Sequence, residues 1–228
     1  MKKVILAICF SFLVFSVNAQ LMRGEELEKY AVERFGNNWV DAAQNIGDGL
    51  VLDKNNSLTY EQIVDCEGQT KDQLYIKLNY WFVSTFNDAK SVIQINDKEA
   101  GIIVGKGFLG SIAVHSGGMN AYTINISPII KVDIKDYKIR ITYTVQNYDV
   151  VKSTGGGVMG AIAGTEGTLS SEVWTLEKTF PFREKDAYRA KKSSSKALVM
   201  THAYSNVIMD KIVEAVKHGL VGNENDDW

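Results

Sequence analysis

Two segments of the 228-residue chain carry the glycine spacing that cradles a pyrophosphate, G-x-G-x-x-G: Gly105 to Gly110 and Gly155 to Gly160. That spacing works where a strand feeds a helix, because the phosphate rests on the unpaired amides of the helix N-terminus. Neither segment leads into an amphipathic helix. The surrounding pattern is antiparallel, whereas a dinucleotide site needs parallel βαβ units. One segment therefore reads as glycines within a strand, the other as a hairpin loop. Asp53-Lys54-Asn55-Asn56-Ser57 begins like a calcium loop, but Leu58 stands where the loop needs Gly and Val64 where it needs a bidentate Glu. It reads as a polar turn into a strand.

Other reactive side chains are scattered. His115, His202 and His218 are too far apart in sequence to form a metal set. No pair of carboxylates is marked out as general acid and base, and no G-x-S-x-G elbow presents a serine. Cys66 has no neighbouring His or Asn to activate it and reads as a small residue near a strand end. No catalytic residue, metal ligand or cofactor is expected.

What remains is a surface. From Tyr122, one side of a strand pattern is Tyr122, Ile124, Ile126, Ile130, Val132 and Ile134, and the other is mostly polar. After Asp136-Tyr137, Ile139, Ile141, Tyr143 and Val145 alternate with Lys138, Arg140, Thr142 and Thr144. This is a hairpin with one dry and one wet face, the mark of a half-covered antiparallel sheet. Pro128 belongs at an edge or bulge. The wet face nominates Thr123, Asn125, Lys131, Lys138, Arg140, Thr142 and Thr144 for partner binding. The loop at 153–167 adds Val158, Met159 and Ile162, apolar residues among glycines.

Helices must cover the dry face. Thr70-Lys71-Asp72-Gln73 fits a capping box, and Leu74, Leu78, Trp81, Phe82 and Phe86 follow on one side. Strands are expected at Ser91 to Asn96 and Gly101 to Gly107, with a continuation through Ile112 and Val114. A last helix, capped by Ser193, Ser194 or Ser195, would bury Ala197, Met200, Tyr204, Ile208, Ile212 and Ala215. Two short helices before residue 52 read as an appendage.

The N-terminus reads as a leader: Lys2 and Lys3, an apolar run from Val4 to Val17, and cleavage after Ala19. The run is short for a span of a ~30 Å hydrocarbon core, and no second run follows. Loss of Lys2 and Lys3 lowers Lys+Arg from 25 to 23 against 27 Asp+Glu, a net charge of −4. That balance argues against nucleic acid, which needs clustered cations. Cys66 alone survives processing, so the mature chain holds no internal disulfide and depends on its core.

Thr70 to Tyr75, Trp81-Phe82, Ser91 to Ile93, Lys98 to Gly107, Lys131 to Asp136 and Ile139-Arg140 together resemble a secreted bacterial family, domain of unknown function 4468, with a TATA-binding-protein-like (TBP-like) fold. The resemblance covers Leu58 to Val151. It implies a β-α-β-β-β-β-α order and a Bacteroidetes-type envelope protein. It brings no catalytic residues, and a fold name alone does not license DNA binding.

The expected architecture is α+β, a curved antiparallel sheet with helices on one face. Residues 1–19 are a signal peptide, 20–52 a helical appendage, 53–219 the TBP-like domain with its loop insertion at 153–167, and 220–228 an acidic tail. The expected role is that of a secreted, periplasmic or cell-surface binding module for a protein, glycan or envelope component. A hydrolase assembled from distant residues and a structural subunit of an envelope assembly stay open as alternatives. If the loop makes the contact, replacing Val158, Met159 and Ile162 with Ser abolishes pull-down or liposome binding; unchanged binding removes the loop from the site.

Overall fold

The computed structural model describes residues 22–86, 92–117, 120–155, 164 and 167–218. The predicted leader, the tail at 220–228 and the loop residues Val158, Met159 and Ile162 lie outside them. In chain order the elements are α1 (Gly24–Phe35), α2 (Trp39–Gly47), β1 (Leu58–Asp65), α3 (Lys71–Thr85), β2 (Ile93–Asp97), β3 (Ile102–Lys106), β4 (Leu109–Ser116), β5 (Asn120–Ile126), β6 (Ile129–Lys135), β7 (Lys138–Val145), β8 (Asn147–Thr154), β9 (Thr168–Thr175) and α4 (Lys191–His218). The class is α+β, and all strand pairings are antiparallel. No helix among the described residues is long and apolar enough to cross a membrane.

The strands form two sheets, ordered β1-β7-β6-β3-β2 and β4-β5-β8-β9. Three chain segments run through both. They cross at Gly107-Phe108, at Ser127-Pro128 and at Gln146, and these points mark one bend line. Pro128 has no N–H to give to a ladder, so pairing breaks there. The Gly107 N–H donates to the Pro128 carbonyl at 2.8 Å and ties the bend across two segments. Taken alone, the first sheet runs β-α-β-β-β-β along the chain, with β4 and β5 interleaved and α4 last.

The inward face of this bent sheet is dry. Ile124, Ile126, Ile130, Val132, Ile134, Ile139, Ile141, Tyr143, Val145, Tyr148 and Val150 are all buried. Helix α4 lies in the hollow. Ala197, Met200, Tyr204, Ile208, Ile212 and Ala215 are buried as expected, and so are Leu198, Val199, Thr201, Ala203, Ser205 and Val207. The helix is covered all round rather than on one stripe, as a helix in the middle of a core must be. It begins at Lys191, so Ser193, Ser194 and Ser195 are not its cap; they sit buried in its first turn. Leu27, Ala31, Ala42 and Ala43 of α1 and α2 belong to the same core cluster. The segment expected as an appendage is therefore one wall of the core. Its small alanines let α2 approach α4 closely.

Helix α3 starts with the expected box: Thr70 Oγ1 accepts from the Gln73 amide at 3.4 Å, and Gln73 Oε1 accepts from the Thr70 amide at 2.9 Å. Its aromatic face packs as Trp81, Phe82 and Phe86, with Trp81 and Phe82 edge to face at 4.9 Å. Gly105 is what lets it dock, since a Cβ there would stand 2.6 Å from Phe82 Cε1. At the far end of α4, Gln69 and Lys77 donate to the Val216 carbonyl at 2.9 and 3.0 Å, satisfying an orphan acceptor of the last turn.

Two outcomes follow from this packing. Gly105→Ala forces the Phe82 ring off β3 and costs about 1–3 kcal/mol, read from urea denaturation. His202 lies between the Phe35 and Tyr60 rings, each at 5.3 Å, with Nδ1 3.2 Å from the Tyr60 hydroxyl. Burial, and then the charge of Arg34, push its pKa below 6.5. The unfolded chain thus binds this proton more readily. His202 costs no stability above about pH 6.5 and an increasing amount as pH falls below it. The stability difference between wild type and His202→Phe shifts in favour of the variant between pH 7.5 and 5.5, measured as Tm at each pH.

Candidate functional site

The wet outer face is where the alternation placed it, but its charges are already matched. Asp133 accepts from Lys131 at 2.8 Å and from Arg140 at 2.9 Å, and Arg140 also lies 4.0 Å from Glu61. Lys138 pairs with Asp65 at 3.3 Å. Burial works to raise the Asp133 carboxyl, yet the two cations outweigh it and hold the group below its ordinary value. Thr142 stands in register between Glu61 and Lys131, and Thr144 Oγ1 lies 3.2 Å from Thr59 Oγ1. These five candidates form a ladder across β1, β7 and β6 that largely cancels its own charge.

Thr123 and Asn125 do not join them. They lie past the bend, on the outer face of the second sheet. Asn125 is committed to the backbone: its Oδ1 accepts from the Ser111 amide at 2.8 Å and its Nδ2 donates to the Asp149 carbonyl at 3.2 Å. It holds an irregularity where β4 shifts register and Ser111 takes φ 57°. Thr123 sits in register between Val114 and Val151, both exposed. Cys66 is buried at the end of β1, where burial raises its thiol pKa and disfavours the thiolate a nucleophile needs. No group of His, Cys, Asp and Glu suited to a metal ion occurs among the described residues.

The concave face offers more. The strands of the second sheet run on past the first turn of α4, so the far end of their inward face has no helix over it. Lys152 shows this most plainly. It continues the inward register of Tyr148 and Val150, a run that would otherwise be buried, and it is only half-buried. Glu172 and Asn120 do the same beside Trp174 and Tyr122.

Four rings line this uncovered end. His115 stacks on Tyr122 at 4.7 Å and 20°, Tyr122 tilts against Trp174 at 5.3 Å, and Trp174 stacks on Tyr188 at 4.7 Å and 7°. Offset stacked and tilted contacts of this kind hold rings in fixed positions. Polar contacts fix the rest: Tyr122 Oη donates to Ser193 Oγ at 3.3 Å, and the Thr175 amide donates to Tyr188 Oη at 3.0 Å. Glu172 accepts from the Trp174 indole at 3.2 Å and pairs with Lys152 at 3.3 Å. The indole, followed by Lys152, keeps the Glu172 carboxyl below its ordinary value and ionised.

Two cavities open here and share His115, Tyr122 and Arg189. One, of about 410 Å³, is lined by the rings with Asn120, Lys152 and Glu172. The other, of about 560 Å³, lies between β4, Trp39 of α2 and the start of α4. The turn before α4 is held by the buried Asp186 carboxylate, which accepts from the amides of Phe180, Tyr188 and Ala190 at 3.2, 2.9 and 3.2 Å.

Residues 60–149 match the family described as a domain of unknown function, DUF4468, with a TBP-like fold. Two crystal structures are similar to the chain. One is a TBP-like protein from Parabacteroides distasonis, at TM-score 0.45 and 12% identity, covering 72% of this chain and 94% of its own. The other is a DUF4468 family protein from Bacteroides ovatus, at TM-score 0.44 and 11% identity, covering 71% and 86%. No curated protein matches. The DUF4468 span begins within β1 and ends early in β8. It contributes His115, Asn120 and Tyr122 to the cleft, while Lys152, Glu172, Trp174, Tyr188 and Arg189 come from beyond it.

Proposed function

We propose that the chain is an exported, non-enzymatic binding module that takes a glycan in the concave cleft. The observation that carries this reading is the uncovered inward end of the second sheet, faced by His115, Tyr122 and Tyr188 against the buried Trp174 and edged by Asn120, Lys152 and Glu172. Ligand sites combine an apolar, often aromatic wall with a few placed hydrogen-bonding groups. A sugar ring has matching surfaces, with C–H faces for the rings and hydroxyls for the rim. Glu172 is held ionised by its partners, which suits it to accept from a hydroxyl rather than to protonate a leaving group. The outer face is a weaker candidate, because a partner there must first part Asp133 from Lys131 and Arg140.

Binding is measured by calorimetry and by tryptophan fluorescence against a panel of oligosaccharides, since Trp174 reports from the wall itself. His115→Ala and Tyr122→Ala weaken binding about tenfold or more, the loss expected for a buried aromatic contact worth over 1.4 kcal/mol. His115 is exposed, so its removal leaves Tm nearly unchanged. Binding that survives both substitutions, or release of cleaved sugar, overturns the reading.

A further inference from the structure

We infer that the ligand is acidic, and that its anionic group, a carboxylate or a sulfate or phosphate ester, sits in the larger cavity against Arg189 and Lys192. This rests on the cleft being a glycan site and adds the charge of the sugar. The larger cavity is lined by Arg189, Lys191, Lys192, Lys196 and His115, with no carboxylate among its lining residues. Two of these cations are engaged. Lys191 Nζ lies 4.1 Å from the centre of the Phe180 ring. Lys196 pairs with Glu28 at 2.6 Å and lies over Trp39 at 5.3 Å. Arg189 and Lys192 make no ion pair with another described residue, and both are exposed to the cavity side of the turn.

Arg189 is held there at a cost. It takes φ 56°, a conformation unfavourable for a residue with a Cβ. The turn enforces it from both sides: the Arg189 amide donates to the Asp186 carbonyl at 3.3 Å, and the next amide, of Ala190, donates to the Asp186 carboxylate at 3.2 Å. The first turn of α4 adds a field of the same sign in the same wall. The two cavities differ in character. The smaller balances Lys152 with Glu172 and offers rings, while the larger offers unopposed positive charge, and Arg189 lines both. A saccharide with its ring against Tyr122 and its acid group toward Lys192 fits this division.

The test compares oligogalacturonates with their methyl esters, which keep the rings and lose the charge, using the purified chain. A sulfated oligosaccharide is run beside them. The acid form should bind about tenfold tighter than the ester at low salt, and the preference should collapse in about 0.5 M NaCl, where the screening length is a few ångströms. Arg189→Gln with Lys192→Gln should bring the acid down to the affinity of the ester, and Lys192→Gln alone, which lies outside the ring-lined cavity, should weaken the acid and leave the ester where it was. A preference for the sulfated sugar that the double variant removes supports the same site with sulfate in it. Equal binding of acid and ester, insensitive to salt, overturns the acidic ligand and leaves the glycan reading standing. Failure of all three sugars to bind overturns both.

Discussion

A helix buried on every side sets the terms for the rest of this molecule. Helix α4 has no face for water between Ser193 and Ile208 beyond a few half-exposed positions, so every neighbouring direction must be filled. A flat sheet covers one side only. Here the sheet bends at Gly107, Pro128 and Gln146, and the two halves reach around the helix. Helices α1 and α2 close another direction with Leu27, Ala31, Ala42 and Ala43, and α3 with the turn before it closes the C-terminal end through Lys77 and Gln69. Of the polar side chains on α4, His202 meets the Tyr60 hydroxyl at 3.2 Å, and Ser195 and Ser205 donate to carbonyls of the helix itself. Burial raises the pKa of Tyr60, Tyr143 and Tyr148, which keeps them neutral where a phenolate would be costly.

The cleft follows from the same arrangement. Toward one end of the second sheet the inward positions pass from buried to half-buried or exposed. Where the helix stops, the inward face changes from Ile124, Val150 and Trp174 to Tyr122, Lys152 and Glu172. The family match ends inside β8, so His115, Asn120 and Tyr122 of the cleft lie within the matched span, and Lys152, Glu172, Trp174, Tyr188 and Arg189 lie after it.

Much of the scaffold was legible in the sequence. Period-two alternation from Tyr122 to Val145 located the dry face residue by residue, and the Thr70 to Gln73 capping box fixed the start of α3. Asn38 caps α2 with its side chain as such residues do. Other features were not legible. Alternation tells inside from outside but not where a sheet folds over, so Thr123 and Asn125 were grouped with Lys131 and Arg140 although the bend parts them. The three serines near residue 194 look like a helix cap, and only the Asp186 turn moves the start to Lys191. The cleft did leave a trace: Lys152 and Glu172 are charged residues at inward positions, which signals a strand end without a cover. That trace becomes meaningful only once the register of β8 with β9 is known.

The clasp at the Val216 carbonyl carries a consequence for the order of events in folding. Gln69 and Val216 are 147 positions apart, and the strands that surround α4 all precede it. Loop closure over such distances slows folding, because the entropy of joining remote segments is lost before contacts repay it. A growing chain would hold both sheets and three helices before their common centre exists. Until its final fifth is in place, the dry face of that sheet has nothing to close upon. Among the described elements, the one on which both sheets and the other helices close is the one that comes latest in the chain.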